Sequence, residues 1–274
     1  QQQDLRRISA ILADSSGAVA DVLRVALSRI IVTKEYGASL ARDASHSRPH
    51  RVRITNDFAV MPAFLRAADQ IGARLAESPM CGSAVVSLGD ARDLASVPNA
   101  SIDAVITSPP YLNALDYLRG HRLSLVWLGY RVSDLRAVRA TSIGAERMLD
   151  PGDERRVVAS LAPTVGAVDC LPERIRGMID RFALDVFGVL SEVRRVLKPR
   201  GSATLVVGNS CIRDVYIDNA ACVVAAASTV GLPLIERQER ELPPSRRYLP
   251  PPSANGHSGI NNRMRAEVVL TFAG

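Results

Sequence analysis

The sequence predicts an α/β protein built on a mostly parallel sheet with helices on both faces. Three observations carry that prediction. Short apolar, β-branched runs (residues 104–106 and 203–207) alternate with stretches of helical apolar spacing, as strand–helix–strand units require. A helix-like stretch ends at Gly231, where a strand-like run begins. Two such runs, 232–240 and 267–272, close the chain and are expected to pair as an antiparallel hairpin.

Residues 1–80 are predicted to be a helical N-terminal segment. Val19, Val22, Leu23, Ala26, Leu27, Ile30 and Ile31 keep one apolar face, with Ser15 or Ser16 placed to cap it. A second helix is expected over 61–75, and the His- and Arg-rich residues between the two form a basic surface loop. Residues 81–274 are expected to hold the catalytic core. Within it Ala104, Val105 and Ile106 suit a buried central strand, which must stop at Ser108. Pro109 and Pro110 fix φ, remove two backbone donors and hold Ser108 and Pro109 extended.

A helix is expected over 117–127. Residues 130–180 contain no clear strand and interrupt the sheet. Phe182, Val186, Val189, Leu190, Val193 and Leu197 are spaced for a helix that ends in Lys198-Pro199-Arg200-Gly201, a cationic last turn followed by breakers. The strand at 203–207 and a helix at 218–230 follow, and a Pro-, Arg- and Asn-rich loop precedes the last strand.

The chain has 274 residues, of which 47% are hydrophobic, enough to bury one substantial core. It contains no 18-residue apolar run and no leader pattern, so a cytoplasmic protein with no membrane partner is expected. Cys81, Cys170, Cys211 and Cys222 lack metal-ligand spacing and are expected to be reduced, buried fillers; no metal site is predicted. The net charge is +6, carried almost entirely by arginine clustered in 42–53, 131–181 and 237–265, as contacts to a polyanion would need.

The strand end at Ser108 carries the chemistry. A rigid turn with a hydroxyl, carbonyls that have no ladder partner and an adjacent ring suits a planar group bearing an NH2. The oxygens would accept its hydrogens while Tyr111 stacks on its face.

Thr107-Ser108-Pro109-Pro110-Tyr111 resembles the catalytic motif of the S-adenosylmethionine-dependent amino-methyltransferases, which methylate cytosine N4 or adenine N6 in DNA. The resemblance implies a Rossmann-like class I methyltransferase sheet, S-adenosyl-L-methionine as cofactor, DNA as partner with the target base flipped into the site, and catalytic roles for Ser108, Pro109, Pro110 and Tyr111. The serine form leans towards cytosine N4. Upstream, Val85-Val86-Ser87-Leu88-Gly89-Asp90-Ala91 resembles the family's preceding strand and turn, which makes Asp90, Ala91, Thr107 and Ser108 candidate cofactor contacts. Asn113, Tyr117, Arg119, His121 and Asn209 are candidate substrate-binding residues, and 130–180 a target-recognition insertion. The family's Phe-x-Gly-x-Gly turn after the first strand has no counterpart here. The expectation is therefore a sheet whose first strands lie upstream or on a partner subunit. An RNA methyltransferase using the same turn, and a non-catalytic binding subunit of a modification or defence complex, are the alternatives.

Overall fold

A computed structural model describes residues 1–33, 37–42, 50–51, 55–77, 81–112, 117–143, 155–213, 215–242 and 266–274. The chain divides into two units, residues 1–86 with 116–139, and residues 87–115 with 140–274.

The first unit is helical. Its elements are α1 (Gln2–Ala13), α2 (Ala18–Ile31), α3 (Val60–Glu77), α4 (Tyr117–Trp127) and most of α5 (Val132–Thr141), with a two-residue antiparallel pairing of β1 (Ala41–Arg42) and β2 (His50–Arg51). Apolar residues at helical spacing bury one stripe of each of the first three helices: Leu5, Ile8 and Leu12 on α1, Ala26, Leu27, Ile30 and Ile31 on α2, and Val60, Phe64 and Ala67 on α3. Trp127 packs on the edge of this cluster, and its carbonyl accepts the Ser9 hydroxyl. The expected serine cap is not formed. Ser15 Oγ turns back to the Ile11 carbonyl of α1 at 2.6 Å, and the residue before α2 is Gly17, whose φ of +91° suits a residue without a Cβ. Val19 lies outside the apolar stripe and is 74% exposed.

The second unit holds the sheet. Its elements are β3 (Ile102–Thr107), α6 (Arg155–Leu161) with a short 3-10 turn (Ala162–Val165), α7 (Glu173–Val196), β4 (Leu197–Gly208), β5 (Ser210–Ile212), β6 (Val215–Ile217), α8 (Asn219–Thr229), β7 (Leu234–Glu241) and β8 (Ala266–Ala273). The four-stranded order is β3-β4-β8-β7, with β3 parallel to β4 and β8 antiparallel to both its neighbours, while β5 and β6 form a separate hairpin. The expected terminal hairpin is thus present. Alternation buries Ala203, Leu205 and Val207 of β4 and Val268, Leu270 and Phe272 of β8 in one cluster with Phe182, Val186, Val189, Leu190 and Val193 of α7 and Ala220, Val223 and Ala227 of α8. Both of these helices therefore cover the same face. Asp218 caps α8 by accepting the Ala221 N–H at 2.9 Å.

Other expectations need correcting. Strand β3 is at the edge of the sheet, with Ile106 81% exposed, because among the described residues only β4 offers it a ladder. Helix α7 begins at Glu173, well before Phe182, and ends at Val196, so Lys198-Pro199-Arg200-Gly201 is not a helix terminus. Those residues form a bulge in β4: Ile102 pairs with Leu197 but Ala104 with Ser202, and Arg200 has φ +70°. Gly201 fits there because an added Cβ would lie 3.0 Å from the Asp103 and Lys198 carbonyl oxygens. All four cysteines are free thiols, but only Cys222 is buried; Cys81 and Cys170 are exposed. Among the described residues no helix is long and apolar enough to cross a membrane.

Truncating Phe182, which is 1% exposed, is expected to separate core from surface. Phe182→Ala should lower the unfolding free energy by about 3–5 kcal/mol in urea denaturation, whereas Val19→Ala should change it by less than about 0.5 kcal/mol.

Candidate functional site

Parallel pairing of β3 with β4 brings the carboxyl ends of the two strands side by side, with Thr107 opposite Leu205. The next residue, Ser108, is exposed and donates its hydroxyl to the Val206 carbonyl at 3.1 Å. Tyr111 Oη lies 3.2 Å from Ser108 Oγ, and the half-buried Tyr111 ring packs against the core. A serine hydroxyl has one hydrogen and two lone pairs. With the hydrogen given to Val206, the Ser108 oxygen keeps two lone pairs, one on the side of Tyr111 Oη and one left for a ligand. Among the described residues the Pro109 carbonyl accepts no hydrogen bond. The turn therefore presents two acceptors next to an aromatic ring.

The turn is pinned from behind. Leu112 is fully buried, and its carbonyl accepts the Ser210 hydroxyl at 2.5 Å. Buried Asn219 donates to Ser210 Oγ and to the Gly208 carbonyl, both at 2.9 Å. Asn209, a candidate substrate contact, joins the β5–β6 hairpin to α8: its Oδ1 accepts the Ala220 N–H at 3.1 Å, and its Nδ2 donates to Tyr216 Oη at 2.5 Å. Burial and the nearby Asp218 charge raise the Tyr216 phenol above its usual range. His121 lies on the surface of α4 in the helical unit. Asn113 and the side chains of Tyr117 and Arg119 lie outside the described residues.

The segment expected to be a strand before Asp90 is not one. Residues 81–89 form no ladder, and Val85, Val86 and Leu88 are 95% or more exposed, since none of the described residues pairs with them. Asp90 and Ala91 sit instead in a turn closed by an isolated bridge between Asp90 and Asp93. There Asp90 is gripped by Arg92: Oδ1 accepts the Arg92 backbone N–H at 2.9 Å and Nε at 3.0 Å, and Oδ2 accepts Nη2 at 2.6 Å. Those bonds hold the Asp90 carboxyl below the usual carboxylate range.

The loop that follows is fastened along one face of α7. Glu192 accepts the Leu94 N–H at 2.7 Å, and Arg195 donates to the Leu94 and Val97 carbonyls at 2.8 and 2.9 Å and to Asn99 Oδ1 at 2.6 Å. The Arg195 guanidinium also pairs with Glu192 and lowers its carboxyl to about 2. None of Arg92, Glu192 and Arg195 stood out in the sequence; the i, i+3 pair Glu192–Arg195 was the available signal.

No family model and no curated protein matches the chain. Among solved structures it is similar to a candidate DNA modification methylase from Thermus thermophilus, in three crystal structures. The selenomethionine derivative matches at 19% identity and TM-score 0.33, the unlabelled protein at 20% and 0.34, and its complex with S-adenosyl-L-methionine at 19% and 0.34. Each match takes in 68% of this chain and 50, 52 and 53% of the respective structure, so the chain spans about half the length of the proteins it matches.

The Glu192 pairing makes a pH-dependent prediction. Its folded pKa of about 2 lies below the ordinary 4.5, so its stabilisation is complete above the ordinary value and is lost as pH falls through the folded one. Denaturant unfolding at a series of pH values should find Glu192→Gln less stable than wild type at neutral pH, with the gap closing between pH 4.5 and about 2.

Proposed function

We propose that the protein is a DNA methyltransferase that transfers a methyl group from S-adenosylmethionine to the exocyclic amine of a flipped base, cytosine N4 in preference to adenine N6. The observation that carries this reading is the orientation of Ser108. Its hydrogen is committed to Val206, which leaves an acceptor at the exposed carboxyl end of β3 beside Tyr111. The resemblance of residues 107–111 to the amino-methyltransferase motif supports the same chemistry, and the serine in it supports cytosine.

The cofactor supplies an electrophilic methyl group on a sulfonium. Asp90, which keeps an acceptor after pairing with Arg92, fits a donor on its purine, and Thr107 and Ser108 lie at the strand end assigned to its methyl-bearing part. The edge of β3 that carries no ladder among the described residues and the exposed Val85, Val86 and Leu88 support further strands from a preceding segment or a partner subunit as the carrier of a glycine-rich turn for the amino-acid end.

A base in a duplex cannot reach such a site, so it is extruded at a cost of a few kcal/mol and stacked on Tyr111. Ser108 Oγ and the Pro109 carbonyl accept the two amine hydrogens from outside the ring plane. That favours the pyramidal nitrogen, whose lone pair is available. The nitrogen bonds to the methyl carbon, the C–S bond breaks with its electrons staying on sulfur, and the product nitrogen releases a proton to water. Holding the amine in line accounts for most of the acceleration, since orientation of this kind is worth up to about 7–11 kcal/mol. Arginines of the clusters at 42–53, 131–181 and 237–265 are assigned to the phosphates, apart from those committed to carboxylates.

The test is a methyl-transfer assay of the natural protein with labelled cofactor and duplex DNA, tRNA or free nucleosides. Label is expected in DNA as N4-methylcytosine. Ser108→Ala and Pro109→Ala should each cut turnover by about 100-fold with cofactor affinity retained, and Tyr111→Ala should raise the KM for DNA. Label entering tRNA alone would favour the RNA methyltransferase. No label with any acceptor, together with DNA binding, would favour the non-catalytic subunit.

A further inference from the structure

Arg92 is fixed at both ends. Toward the loop it holds Asp90 through three N–H groups; toward α7 its Nη1 donates to Asp185 Oδ1 at 2.6 Å, and its Nη2 also reaches the Thr141 carbonyl at 2.8 Å. Asp185 is only 3% exposed, and an ionised carboxylate taken out of water is costly unless paired. Arg181 Nε shares the same Asp185 oxygen at 3.1 Å, and Asp185 Oδ2 has no hydrogen-bond partner among the described residues. The Arg92 stem lies along Gly188, where an added Cβ would come within 3.5 Å of its Cβ and Cγ. The guanidinium is thus a planar fork clamped between a buried anion and an exposed one.

We propose that Arg92, anchored by Asp185, is a positioning residue that leaves Asp90 a single outward acceptor and so makes it selective for one N–H of an aminopurine over a vicinal diol. The proposal rests on the reading of Asp90 as a cofactor contact. A carboxylate offers about four lone-pair sites. Arg92 occupies three: both on Oδ1, through its backbone N–H and Nε, and one on Oδ2. A ribose diol gripped by a carboxylate needs an acceptor on each oxygen, and Oδ1 has none left. A 6-amino group needs only one. A lysine at position 92 keeps the positive charge and the backbone N–H but cannot supply the two parallel N–H groups of the fork, so the carboxylate could turn about the one bond left on Oδ1.

The test compares S-adenosylhomocysteine with its inosine counterpart, in which a carbonyl replaces the amine, by calorimetry on wild type, Arg92→Lys, Asp185→Asn and Asp90→Asn. Wild type is expected to prefer the adenine form by about 10-fold or more, the worth of one charge-assisted hydrogen bond. Arg92→Lys and Asp185→Asn should each lose most of that preference while remaining folded by circular dichroism. A merely structural role would weaken both ligands alike and leave the ratio unchanged. If both variants keep the wild-type ratio while Asp90→Asn loses it, the role of Arg92 is overturned and the Asp90 reading stands. If the natural protein, with the segment or partner that supplies the glycine-rich turn, binds neither ligand, or binds both equally, the Asp90 reading fails and takes this inference with it.

Discussion

The parallel ladder between β3 and β4 is the interaction on which the candidate site depends. It sets Thr107 against Leu205, and the one hydroxyl that matters then meets the Val206 carbonyl. Two prolines end β3 where that contact forms, so the chain leaves the sheet with its acceptors turned outward. Behind the ladder, Leu112, Ser210 and Asn219 tie the turn to the first turn of α8. A helix start fixes the position of its backbone donors, and through Asn209 and Asn219 that rigidity reaches the motif.

What could be read from the sequence was local. The β-branched run ending in Pro109-Pro110, the apolar spacing of Phe182 to Val193, the helix over 218–230 and the two closing strands all depend on residues within a turn or two of one another, and each was found near its expected place. What could not be read depended on distant neighbours. Whether β3 is central or at the edge, and whether residues 85–91 pair at all, is decided by what lies beside them. Cys81 and Cys170 are exposed for the same reason: burial belongs to the fold and not to the residue type. At the site, the Ser108–Tyr111 pair was legible. The arginine clamp was not, because Arg92 and Asp185 lie 93 positions apart.

The abundance of arginine acquires a second explanation. Arg92, Arg181 and Arg195 are committed to carboxylates or loop carbonyls around α7, and Arg237 and Arg240 pair with Glu239 and Glu267. A planar guanidinium with five donors can bind several acceptors at once, which a lysine ammonium does less specifically. Part of the positive charge thus holds loops in place, and the sequence clusters overstate what is free for phosphates.

The direct junction of α7 with β4 has a mechanical consequence. Helix ends at Val196 and strand begins at Leu197, with no linker to absorb a change in length. Each residue of an α-helix advances the chain by about 100° of rotation. An insertion or deletion within the helix would therefore twist Asp185, Glu192 and Arg195 away from the loop they hold, or else swing the strand that lies beside Ser108.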